Sequence, residues 1–89
     1  MSEIVRRAAA GTLESSDVYV ELEPSDAGIE IELDSVVIRQ FGDEIRRVVG
    51  EVLSEQGVSR AKVRVVDRGA LDCVIRARVE TAVERAKGA

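Results

Sequence analysis

The sequence predicts a small two-layer α+β domain whose elements follow the order β-β-α-β-α. Two patterns support this prediction: some segments alternate between apolar and polar residues, as half-buried strands do, and others carry apolar residues at helical spacing. The predicted strands are 18–23, 29–33 and 61–66, and the predicted helices are 36–56 and 69–86. Because 89 residues suit one domain, we expect residues 1–89 to form a single unit, with residues 1–10 as a flexible N-terminal segment.

The first two predicted strands are separated by a turn. VYVELE, residues 18–23, and IEIEL, residues 29–33, both alternate with period two. The segment PSDAG between them has the composition of a turn, with proline and glycine supplying the backbone constraint and the backbone freedom. We therefore expect these two strands to pair as a hairpin.

The two predicted helices have recognisable ends. Asp34 and Ser35 offer side-chain oxygens to cap the first helix, Gly57 follows its end, and Asp67 is placed to cap the second. The helical spacing predicts these core residues: Val37, Phe41, Ile45, Val48, Val49, Val52, Leu53, Leu71, Val74, Ile75, Val79, Ala82 and Val83. We interpret Cys73, inside the second helix, as a further small core side chain.

The connections predict the sheet. Because a helix joins strand 29–33 to strand 61–66, these two strands should run parallel. We expect strand 18–23 to lie between them, antiparallel to both. The result is a mixed sheet of about three strands with two helices on one face.

The composition argues against several classes of function. The net charge is −4, and the aromatic residues are Tyr19 and Phe41, so the chain lacks the basic surface and stacking platform of a nucleic-acid-binding protein. No apolar run approaches the roughly 20 residues that span a bilayer. The N-terminus, MSEIVRRAAAG, lacks the apolar core of a secretory signal. We therefore expect no nucleic acid, no membrane, and a cytoplasmic location.

The residue types that common catalytic chemistry uses are scarce. The sequence has no histidine, which is the usual general base and the commonest metal ligand. Its single cysteine, Cys73, excludes an intrachain disulfide and a cysteine zinc cluster. We therefore predict no catalytic residue and no metal site, and a binding or carrier module rather than an enzyme.

A pair of serines stands out in GTLESSD, residues 11–17. Ser15 and Ser16 lie between Glu14 and Asp17, without the neighbouring base that a catalytic nucleophile needs. One interpretation is a polar turn that leads into the first strand. The other is an exposed attachment point, and neither periodicity nor charge chooses between them.

Three stretches closely resemble the acyl carrier (gamma) subunit of citrate lyase. They are GTLESSD at 11–17, QFGDEIR at 40–46 and DRGALDCVIRARVE at 67–80, in the expected order and at the expected spacing. The resemblance implies that Ser15 carries 2'-(5''-phosphoribosyl)-3'-dephospho-CoA through a phosphodiester, at a position followed by glycine or another small residue. It also implies that Gly11, Thr12, Glu14 and Asp17 are flanking recognition residues.

The resemblance also implies a division of labour. The thiol of the prosthetic group would hold acetyl and citryl thioesters while the alpha subunit (acyl transferase) and the beta subunit (citryl lyase) convert citrate to acetate and oxaloacetate. A dedicated transferase would attach the group. The carrier itself would catalyse nothing.

Two hypotheses concern the surroundings of Ser15. The backbone N–H groups of Gly69 and Ala70, at the predicted start of the second helix, would favour a phosphate on Ser15. Alternatively, Glu14 and Asp17 would form the surface that the attaching transferase recognises. Other identities stay open: the carrier subunit of malonate decarboxylase or citramalate lyase, or a small interaction domain without a cofactor.

Overall fold

A computed structural model describes residues 3–88 and contains four strands and two helices. In chain order these are β1 (Ala8–Gly11), β2 (Val18–Glu23), β3 (Ile29–Ser35), α1 (Ile38–Glu55), β4 (Ala61–Asp67) and α2 (Asp72–Ala86). The helices cover one face of the sheet, and the core lies between the two layers. The predicted α+β class is confirmed.

The sheet has the order β1-β2-β4-β3, so the predicted hairpin between 18–23 and 29–33 is wrong. β4 lies between these strands, antiparallel to β2 and parallel to β3. The parallel pair was predicted correctly, but the central strand was not.

Charge on the open face of the sheet explains this order. β2 presents Glu21 and Glu23, and these residues lie opposite Arg64 and Lys62 of β4. On the other side of β4, Glu32 and Glu30 of β3 lie opposite the same two cations. Opposite charges on neighbouring strands stabilise the pairing, and like charges destabilise it. The basic strand therefore belongs between the two acidic strands.

The fourth strand, β1, was not predicted. Residues 8–10, which we expected to be flexible, pair antiparallel with β2. Residues 4 and 5 are also fixed, because Ile4 is buried and the Val5 N–H donates to the Ala86 carbonyl at 2.9 Å. Met1 and Ser2, which the same expectation included, lie outside the described residues. Three consecutive alanines give no alternating pattern, so periodicity could not identify this edge strand.

The helices begin later than predicted. Asp34 and Ser35 belong to β3 rather than to a cap, and neither helix has a side-chain cap at its N-terminus. The predicted stop at Gly57 is confirmed: its φ is +74°, and the Val58 N–H donates to the Leu53 carbonyl at 2.9 Å. This pattern is a Schellman motif.

Three predicted core residues are not in the core. Phe41 is 52% exposed and Leu71 is 71% exposed, and Cys73 is also on the surface. Phe41 belongs to the first turn of α1 and Leu71 precedes α2, whereas the large buried side chains of these helices begin at Ile45 and Ile75. Helical spacing alone could not show this.

Within residues 3–88, neither helix is long and apolar enough to cross a membrane.

Candidate functional site

The two serines lie in the loop of the β1–β2 hairpin. The loop is residues 12–17, and its tip is a β-turn in which the Asp17 N–H donates to the Glu14 carbonyl at 3.1 Å. Ser16, the third residue of this turn, has φ +66°, whereas Ser15 does not have a positive φ. A positive φ at this position is the mark of a type II turn, which favours glycine there. Ser15 is therefore at the exposed corner, and Ser16 holds a strained conformation.

Gly11 sets the start of this loop. Its φ is +93°, and a Cβ atom at this position would collide with the Val18 carbonyl oxygen across the hairpin. Only glycine combines this φ with so close an approach of two backbone segments. Gly11 therefore acts on the shape of the loop.

Asp17 holds the loop together. Its carboxylate accepts hydrogen bonds from the Thr12 hydroxyl at 2.7 Å, from the Val18 N–H at 2.7 Å, and from the Arg78 guanidinium at 3.1 and 3.2 Å. These donors, first the Thr12 hydroxyl and then Arg78, lower the pKa of Asp17 to about 2. The carboxylate is 14% exposed. Asp17 thus connects both ends of the loop to helix α2.

The same loop is fastened to the end of β4. The Ser16 N–H donates to the Arg68 carbonyl at 2.8 Å, and the Arg68 N–H donates to the Asp17 carbonyl at 3.0 Å. These two bonds extend the β2–β4 pairing by one step beyond Val18 and Asp67. Ser15 therefore lies beside the segment that leads from β4 to α2.

This segment differs from what we predicted. Helix α2 begins at Asp72, three residues after Gly69. The Ala70 N–H already donates to the Asp67 carboxylate at 2.9 Å, and the same carboxylate accepts a bond from the buried Ser35 hydroxyl at 2.8 Å. Asp67 consequently fixes the loop rather than capping the helix. The Ala70 N–H is not free for a phosphate.

A cleft of about 360 Å³ opens next to this segment. One wall comes from the start of α1, and the other comes from the segment between β4 and α2. The lining residues are Val37, Phe41, Glu44, Ile45, Asp67, Gly69, Ala70, Leu71 and Asp72. Its surface is mainly apolar.

Two carboxylates face each other at the cleft. Partial loss of hydration and the neighbouring Glu44 carboxylate raise the pKa of Asp72. Glu44 itself accepts hydrogen bonds from Arg47, which lower its pKa. Asp72 is therefore the member of the pair that takes up a proton more readily.

All three stretches that carry the family resemblance meet at this end of the molecule. Residues 11–17 are the last residue of β1 and the hairpin loop, residues 40–46 contribute to one wall of the cleft, and residues 67–80 supply the other wall and Arg78. Sequence reasoning did not find the contact between Arg78 and Asp17. The only sequence signal for this contact is that Arg78 lies within the third stretch, and an arginine on a helix is by itself no different from any solvated one.

Comparison with known proteins gives the family. A family profile described as the malonate decarboxylase delta subunit (MdcD), an acyl carrier protein, matches residues 5–86. The citrate lyase acyl carrier protein of Escherichia fergusonii is 56% identical over an alignment of 85 residues that covers 94% of this chain and 88% of that protein. This chain belongs to the citrate lyase acyl carrier protein family.

Two more distant similarities are consistent with this family assignment. The citrate lyase acyl carrier protein of Halothermothrix orenii is 49% identical over 98% of this chain and 94% of its own length. Among solved structures, a chain in the crystal structure of a Pseudomonas malonate decarboxylase hetero-tetramer in complex with malonate superposes with a TM-score of 0.79. It is 26% identical, over 91% of this chain and 84% of that one.

Family membership also answers the question of catalysis. A member of this carrier family is a non-catalytic subunit. Among residues 3–88, no group of three or more histidine, cysteine or acidic side chains is arranged to hold a metal ion.

Proposed function

We propose that this protein is the acyl carrier subunit of a citrate lyase and that Ser15 anchors its prosthetic group. The observation that carries the proposal is the geometry of the hairpin loop. Ser15 is exposed at the corner of a turn in which the Ser16 N–H and the Asp17 carbonyl are both bonded to the backbone of Arg68. A fixed turn with an exposed hydroxyl suits an enzyme that must find one serine and modify it.

The residues around Ser15 fit a phosphodiester. Both serines are exposed, but Ser16 is the less suitable one, because its φ of +66° suits glycine and the position therefore does not favour a serine. The charge of Asp17 is balanced by Arg78, so this carboxylate repels an added phosphate less than a free one would. We propose that Gly69, next to Arg68, borders the attached phosphate.

The flanking residues then divide into two groups. Gly11, Thr12 and Asp17 shape the loop through the contacts described above. Glu14 is exposed, so we propose that it, rather than Asp17, presents a carboxylate to the attaching transferase. The sequence led us to expect that all four are flanking recognition residues, and we propose this division of their roles.

The prosthetic group that the family implies, 2'-(5''-phosphoribosyl)-3'-dephospho-CoA, would supply a thiol that holds the acyl group. The protein's own part is to present this thiol to the alpha and beta subunits at high effective concentration. Such an assembly would operate in the cytoplasm.

A second candidate has a specific observation in its favour. The matching profile is that of the malonate decarboxylase delta subunit, and the superposed chain comes from a malonate decarboxylase. The identity of 56% with a citrate lyase carrier, against 26% with that chain, favours citrate lyase.

Mass spectrometry tests the attachment site. The chain is produced together with the attaching transferase and its nucleotide precursor, as wild type and as the matched variants Ser15→Ala and Ser16→Ala. We expect the added mass in the wild type and in Ser16→Ala, and none in Ser15→Ala. Modification that persists in Ser15→Ala would move the site, and an unmodified wild type would contradict the carrier role. Reconstitution with citrate lyase or malonate decarboxylase subunits then separates the two candidates.

A further inference from the structure

Two large apolar side chains are exposed to solvent at the cleft. Phe41 is 52% exposed and Leu71 is 71% exposed, and the two residues line opposite walls. Exposed apolar side chains that lie next to each other on a soluble domain often mark a site that binds a ligand or a partner. The volume of about 360 Å³ lies within the range of sites that hold small molecules.

The cleft is joined to the proposed attachment site through the backbone. Arg68 bonds Ser16 and Asp17 on one side, and the next residues, Gly69 to Asp72, form the cleft wall. A group fixed to Ser15 is therefore tethered next to the cleft. Tethering replaces free binding with an intramolecular step at millimolar effective concentration, so even weak affinity fills the site.

The chemistry of the cleft selects one part of such a group. The cleft disfavours a phosphate, because its walls are mainly apolar and the charged side chains that line it, Glu44, Asp67 and Asp72, are all carboxylates. A flat aromatic ring would stack on Phe41 and pack against Leu71, as bases do on aromatic side chains. A carboxylate pair accepts a bond from an exocyclic amine, and a protonated carboxyl also donates to a ring nitrogen.

We propose that this cleft binds the adenine ring of the nucleotide attached to Ser15. This inference rests on the proposed function. Among the parts of the attached group, adenine is the flat ring with a donor amine and no charge. With adenine held, the thiol end stays free to reach two different active sites.

Nuclear magnetic resonance of the modified protein tests the inference directly. Mass spectrometry first establishes that the sample carries the group on Ser15. We then expect magnetisation transfer between the adenine H2 or H8 proton and the Phe41 ring. We also expect the amide signals of residues 69–72 to move relative to the unmodified chain.

Matched variants give the control. Phe41→Ala and Leu71→Ser should lower the equilibrium constant for adenine binding in the cleft by about fivefold or more, because each removes stacking or packing on the base. The adenine signals should then move toward their free positions. Val36→Ser changes a side chain that is 63% exposed but does not line the cleft, and should leave the adenine signals unchanged. Leu71→Ser removes a largely solvated side chain, so it keeps the test valid if Phe41→Ala fails to fold.

The possible failures are distinguishable. If the group is present on Ser15 but its adenine shows no contact with Phe41, the inference is wrong and the proposed function stands. The same conclusion follows if the cleft amides move only when alpha or beta subunits are added, since the cleft would then be a protein interface. An unmodified chain from a host with the complete attachment machinery would overturn both.

Discussion

Replacement of Asp17 by asparagine removes the charge that organises the hairpin loop. The pKa of Asp17 is lowered from 3.8 to about 2, which corresponds to roughly 2 kcal/mol in favour of the ionised carboxylate in the folded protein. Because Arg78 is 41% exposed and the carboxylate is 14% exposed, water screens part of this interaction. We therefore expect Asp17→Asn to reduce the free energy of unfolding by about 1–2 kcal/mol at neutral pH.

The pH dependence identifies the cause. A carboxyl whose pKa is lowered by folding stabilises the protein above its unfolded pKa, and this stabilisation is lost as the pH falls through the folded pKa. The difference between wild type and Asp17→Asn should therefore be constant above about pH 5. It should decline as the pH falls below 3.8 and be lost once the pH has fallen below about 2.

Urea unfolding followed by circular dichroism measures this difference at each pH. Asp43→Asn is the matched control: Asp43 is an exposed residue of α1 without a hydrogen bond or ion pair in the described part of the chain, so the change should stay within about 0.5 kcal/mol. A difference for Asp17→Asn that did not vary between pH 2 and 5 would refute the electrostatic account.

Three further changes test the loop and its support. Gly11→Ala, which brings a Cβ into the Val18 carbonyl at φ +93°, should cost at least about 3 kcal/mol in urea unfolding; a loss below 1 kcal/mol would disprove the described backbone. Ser16→Gly relieves the strain of φ +66° and should raise the thermal midpoint by about 2–6 °C, whereas a decrease would argue against the type II turn. Ser35→Ala removes a donor from the buried Asp67 carboxylate and should cost about 1–3 kcal/mol by the same unfolding assay, and an unchanged midpoint would show that this bond is not needed.

Periodicity located most elements but could not order the strands. The alternation in 18–23 and 61–66 shows which side chains face the helices, yet it says nothing about which strands are neighbours. The acidic residues on two strands and the basic residues on the third contained that information. Requiring every charged row to face an opposite charge would have placed strand 61–66 in the centre. The alanine strand carried no comparable signal.

For the candidate site, the sequence predicted the local turn but not the long-range contacts that shape it. Local sequence indicates a turn at Ser15 and Ser16, and the family resemblance selects one of them. Arg68 and Arg78 are the partners that shape this turn. Arg78 is 61 residues from Asp17 along the chain, and no local pattern specifies a contact between residues so far apart. Helical spacing also could not show that Phe41 is exposed, because spacing assigns a residue to a face of the helix and does not tell which turns of that face are covered.

A carrier needs its flexibility in the attached group rather than in the protein. If the loop around Ser15 were mobile, the attaching enzyme would have to order it at an entropic cost of about 1–2 kcal/mol per residue. Instead, Gly11, the Asp17 carboxylate and two backbone bonds to Arg68 fix the loop in advance. In the proposed function, the long attached group would then provide the reach. If the adenine ring is held in the cleft beside the loop, as we propose, a second part of the assembly is fixed in advance. Only the segment that carries the thiol then has to move.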